Sequence, residues 1–77
     1  MNIKEQVYKS IASVLEVAEE DIKDDSHLVE DLGADSLDTV QLVMEIESVF
    51  DMEISDDDAE ELVSVEKIVN YLEEYHS

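Results

Sequence analysis

Apolar residues recur along this chain with the spacing of helices. Ile3, Val7, Ile11, Val14 and Leu15 fall on one stripe, which predicts a first helix over roughly 3–16. The polar, acidic stretch from Glu19 to Ser26 reads as a long loop, after which Leu28 and Leu32 pin the chain to the core. A second helix runs from Ser36 to about Asp51. Asp35 is a good N-cap for it and Asp38 stands at its third position, where both acids suit the positive end of the helix dipole. Ser55 is placed to cap a short helix from Asp56 to about Leu62. Ser64 caps a last one, in which Val65, Ile68, Val69, Leu72 and Tyr75 share a face. No segment alternates with period two for long enough to make a strand. The pattern predicts an all-α fold, a small four-helix bundle of three main helices and one short one, with residues 1–77 as a single domain.

The second helix is apolar on two sides. Stepping 100° per residue puts Leu42, Ile46, Val49 and Phe50 on one side, which is the core face. Leu37, Val40 and Met44 lie opposite, in a row shared with Glu47 and Asp51. Either the loop before Gly33 or the third helix covers that row, or it is an exposed strip with acids along its edge. An exposed strip of this kind suits a docking surface, and Met44 adds an adaptable contact.

Charge changes this picture. Four basic residues face 23 acids, a formal charge of −19. The stretch between Lys23 and Lys67 contains no base and 16 of the acids, by direct count. Such a surface repels nucleic acid and anionic membranes and attracts basic protein surfaces. A content of 44% hydrophobic residues with clear periodicity argues against disorder. Cysteine is absent, so neither a disulfide framework nor a thiolate metal site holds the small core together. Met1-Asn2-Ile3-Lys4-Glu5 has no basic, apolar leader pattern, and no apolar run approaches a membrane span. The expectation is a soluble, cytoplasmic protein, or an organellar one after processing, that works as a monomer.

Ser36 begins the second helix on the side of the apolar strip. Unpaired first-turn amides favour a phosphate there, while the flanking Asp35 and Asp38 suit a cation better. On spacing alone, Ser36 is either an ordinary helix-start serine or a modified one.

The residues around it narrow the choice. Gly33-Ala34-Asp35-Ser36-Leu37-Asp38 resembles the attachment motif of acyl carrier proteins. The similarity runs from Glu30-Asp31-Leu32 through Thr39-Val40 and Leu42-Val43-Met44-Glu45. It continues through Phe50 and Ile54 to Asp56-Asp57-Asp58-Ala59-Glu60, covering essentially the whole chain. The resemblance implies that a phosphopantetheinyl transferase moves 4′-phosphopantetheine from coenzyme A onto Ser36. The arm then carries growing fatty acyl chains to the enzymes of fatty acid synthesis and to acyltransferases with basic docking patches. Leu37, Val40, Gln41, Met44, Glu47, Ile54, Ala59 and Glu60 match docking positions. A core around Leu42, Ile46, Phe50, Leu62 and Ile68 is expected to part for the acyl chain. Three departures stand out: Gln41 where glutamate is common, Ser55 in place of a usual proline, and no glycine or proline from Val17 to Ile22, which favours a more helical loop.

Other readings fit less well. A serine hydrolase would pair Ser36 with His27, but the glycines of a nucleophile elbow are missing. An EF-hand beginning at Asp51 would need glycine where Asp56 stands. Weak surface binding of calcium or magnesium is an expectation near Glu30, Asp35 and Asp38, and near Glu47 and Glu53. Polyketide, peptidyl or D-alanyl carriers share the serine and the arm, and remain alternatives for the cargo.

Overall fold

Asn2 starts the first helix by accepting the Glu5 N–H through its side chain at 3.3 Å. The computed structural model describes residues 2–75. Helix α1 covers Ile3–Leu15 and stops where Glu16 turns left-handed, φ 56°. The expected stripe is correct: Val7 and Ile11 are fully buried, and Ile3, Val14 and Leu15 pack against them half-buried.

The acidic segment after α1 is less extended than a plain loop. It makes one 3-10 turn, Glu19–Asp21, in the stretch that lacks glycine and proline, and then buries Ile22 in the core. Tyr8 and Lys4 of α1 both reach Asp24, the phenol as a donor and the ammonium as an ion pair at 2.9 Å. These contacts hold the loop against α1.

Helix α2, Ser36–Phe50, packs on α1 through Leu42, Ile46 and Phe50. It too ends on a left-handed acid, Asp51 at φ 52°. Helix α3, Asp56–Glu61, is a turn and a half long and is capped by Ser55 through the Asp58 N–H. Helix α4, Val65–Tyr75, is capped by Ser64 through the Lys67 N–H and lays Val65, Ile68 and Leu72 against α1. Each of the fully buried side chains contributes about 1.5–3 kcal/mol of burial. Tyr75 departs from expectation. It is 64% exposed, and its ring lies against Tyr71, centroids 4.6 Å apart, at the end of the helix where the core no longer reaches it.

The described residues form the expected four-helix arrangement, with no strands. One short pairing was not legible in the periodicity: the Leu28 N–H donates to Val63 O at 2.9 Å and the Val65 N–H to Ser26 O at 3.1 Å. This bridge ties the α1–α2 loop to the α3–α4 linker. No described helix is long and apolar enough to cross a membrane.

Candidate functional site

The segment before α2 fixes where Ser36 stands. The Ala34 N–H donates to Leu28 O at 2.9 Å, and the Ala34 side chain is buried. Gly33 adopts φ +73°, and a Cβ there would meet nothing within 4 Å. Glycine is therefore needed for the turn's shape and not for close approach. Asp35 and Asp38 form a reciprocal capping box. Asp35 Oδ1 accepts the Asp38 N–H at 2.8 Å and Asp38 Oδ2 accepts the Asp35 N–H at 3.3 Å. Ser36 is the first residue of α2 and is exposed, and its hydroxyl makes no hydrogen bond among the described residues. Only its carbonyl is engaged, by the Thr39 hydroxyl at 2.9 Å.

Below Ser36 the two faces of α2 separate as expected. Ile46 is fully buried on one side, while Leu37, Val40 and Met44 are 64%, 55% and 61% exposed on the other. The strip is not covered. Helix α3 stands beside it, and a shallow groove of about 540 Å³ runs between them, lined on one side by Val40, Val43 and Met44 and on the other by Ile54, Ala59 and Glu60. Gln41 is exposed on α2 and outside this groove.

Glu47 is more than a rim charge. Its Oε2 accepts the Ile54 N–H at 2.7 Å across the α2–α3 loop, so it holds one wall of the groove to the other. Ile54 is itself buried in the core and also lines the groove. Thr39 and Val43 also line the groove and were missed from sequence. Their signal is spacing, since Val43 lies three residues after Val40 and four before Glu47.

The five residues expected to admit an acyl chain, Leu42, Ile46, Phe50, Leu62 and Ile68, are all buried in the core cluster, and none lines the groove. The expected metal positions are carboxylates at or near the surface. Among the described residues, no three of His, Asp and Glu come together as a group able to hold a metal. Asp35 and Asp38 are turned to each other's backbone, Glu47 to Ile54, and Glu30 and Glu53 are left on the surface. His27 gives Ser36 no base either. Its Nδ1 already accepts the N–H groups of Val29 and Glu30.

Two phenols are shifted. Loss of solvent, then the hydrogen bond to Asp24, raises Tyr8 to about 12. Loss of solvent, then the hydrogen bond to Asp58, raises Tyr71 to about 12. Asp24 is lowered by the Tyr8 hydrogen bond first and by Lys4 second.

An exposed serine at the head of an uncovered apolar strip is an arrangement that can present an attached group to a partner surface. Comparison with known proteins agrees. The family described as "Phosphopantetheine attachment site" matches residues 5–72. The acyl carrier protein of Campylobacter lari is 52% identical over 73 residues, 95% of each chain. The chain belongs to the acyl carrier proteins, which bear a phosphopantetheine arm.

Proposed function

We propose that this carrier serves fatty acid synthesis and that Ser36 is its sole attachment site. The observation that carries the assignment is the free, exposed hydroxyl of Ser36 directly above Leu37, Val40 and Met44. An arm attached there starts beside the surface that meets the partner enzyme. When bound, the arm supplies a thiol that holds an acyl group as a thioester.

The chain's own residues supply position and address. The Asp35–Asp38 box fixes the first turn, so the Ser36 hydroxyl reaches a transferase in one orientation. Leu37, Val40 and Met44 form an apolar centre, and the acids around them steer partners that carry Lys or Arg beside an apolar notch. Such a carrier works as a monomer in the cytoplasm, because it meets several enzymes in turn by fast, weak contacts. The groove between α2 and α3, with the core behind it, is the natural entry for an acyl chain. Each methylene hidden there contributes roughly 0.8 kcal/mol.

The test is incubation with coenzyme A and a phosphopantetheinyl transferase. Mass spectrometry is expected to find one added arm on the native chain and none on Ser36→Ala. An arm on Ser36→Ala would overturn the attachment site. Protein purified from its own source is expected to carry saturated or 3-oxygenated fatty acyl groups. An aminoacyl or D-alanyl mass would instead assign it to another pathway.

A further inference from the structure

Helix α3 stands between two neighbours and turns a different face to each. Asp56, Ala59 and Glu60 line the groove towards α2, whereas Asp58 and Glu61, on the other side of the helix, line a cleft towards α4 with Tyr71 and Tyr75. No residue of α3 itself is buried. Its apolar anchors, Ile54 and Leu62, flank the two ends of the helix. Two carboxylates add polar ties on opposite sides. Glu47 takes the Ile54 N–H at 2.7 Å and fastens the entry of α3 to α2. On the back, the Tyr71 hydroxyl of α4 donates to Asp58 Oδ2 at 2.9 Å. The Tyr71 ring is fixed in turn by the core and by Tyr75, centroids 4.6 Å apart.

The open groove sets these ties against the hydrophobic effect. Val40, Val43 and Met44 stand across it from Ala59, and closing it would take that apolar surface out of water. A six-residue helix with no buried side chain has little packing of its own to resist closure. A phenol–carboxylate hydrogen bond is charge-assisted and stronger than a neutral one, and this one pulls away from α2. We propose that Tyr71, through Asp58, is a positioning residue that holds α3 back from α2 and so keeps the groove open. Tyr71 does this from outside the groove lining. The tie needs no arm on Ser36; its use by an acyl chain rests on the function proposed above.

The experiment uses the full chain without an arm, carbon-13 labelled at the Met and Ala methyls. A neutral gadolinium chelate in the solvent reads the exposure of the Met44 methyl, and methyl–methyl Overhauser effects read its distance from Ala59. Tyr71→Phe removes the hydroxyl and keeps the ring. It is expected to raise the closed-to-open ratio of the groove roughly tenfold, seen as a loss of relaxation enhancement at Met44 and a stronger Met44–Ala59 contact. Asp58→Ala is expected to do the same, and Tyr71→Phe to add nothing further in that background. An unchanged or more exposed Met44 methyl in Tyr71→Phe would overturn the proposal, as would full additivity of the two changes. If Tyr71→Phe does not fold by circular dichroism, Asp58→Ala alone decides by the same two readouts. A second measurement attaches an octanoyl group to the arm of the holo chain. The Tm gained on octanoylation is expected to be smaller in Tyr71→Phe than in the native chain. An equal gain beside a closed groove would remove the groove as the cargo's entry and leave the tie in place.

Discussion

The α1–α4 side of the molecule and the α2–α3 side are built on opposite terms. Helices α1 and α4 meet through side chains that are fully buried, Val7, Ile11, Val65, Ile68 and Leu72, and Lys4, Tyr8 and Asp24 lock the adjoining loop. Between α2 and α3 the packing stops short. Val40 and Met44 stay in solvent, a groove remains open, and Glu47 crosses it with one hydrogen bond to Ile54. The contrast teaches that α2 gives one face to the shared core, through Leu42, Ile46 and Phe50, and leaves the other free for contact. A bundle of this size has little apolar surface to spare. Apolar side chains left in water on α2 are therefore informative.

Breaking the shared core is expected to have the largest effect. Ile46→Ala on the buried face of α2 is expected to cost ~2–5 kcal/mol, enough to unfold much of a marginal 77-residue bundle. Met44→Ala on the open face is expected to change stability by under about 0.5 kcal/mol. Urea melts of the pair check this, and equal losses would mean that the strip is packed in solution. The next largest effect concerns the bridge across the groove. Glu47→Ala frees the Ile54 N–H and is expected to cost about 1 kcal/mol, with faster exchange of that one amide. Charge reversal at Glu47 then perturbs α3 as well as any docking rate, so a slowed association by that variant does not isolate steering. An unchanged Ile54 amide in Glu47→Ala would show that the loop stands without its support.

The smallest effect at neutral pH belongs to Tyr8. Its folded-state value is raised from 10.0 to about 12, so the stabilisation is complete below pH ~10 and is lost as pH rises towards 12. Tyr8→Phe is expected to lie within about 1 kcal/mol of the native chain at pH 7 and to melt with a shallower decline between pH 10 and 12. Thermal melts across that range measure it, and parallel curves for the two proteins would remove Asp24 from the account.

Much of this comparison could be read in advance, because helices announce themselves locally. The Asp35–Asp38, Ser55 and Ser64 caps, the buried row Leu42–Ile46–Phe50 and the exposed row opposite all follow from neighbours three or four residues apart. The failures are contacts between segments with no common period. Ile22 is buried inside an acidic stretch, the 26–28 segment pairs with 63–65, and Glu47 reaches seven residues ahead to Ile54. A carboxylate that holds a backbone amide is indistinguishable in sequence from one that faces water. The groove was hidden for the same reason, since its second wall depends on how closely α3 returns to α2.

The ends of α1 and α2 point to unused room for engineering. Both close on a left-handed acid, Glu16 and Asp51, where a residue with a Cβ carries about 1 kcal/mol of conformational strain that glycine does not. Each acid also sits at the negative end of its helix dipole, which no basic residue in the last turn offsets. The chain thus retains two independent sites where a single codon change would harden it, neither of them in the groove lining. A thermostable version for biotechnology could be reached from its helix ends alone, leaving Leu37, Val40 and Met44 untouched.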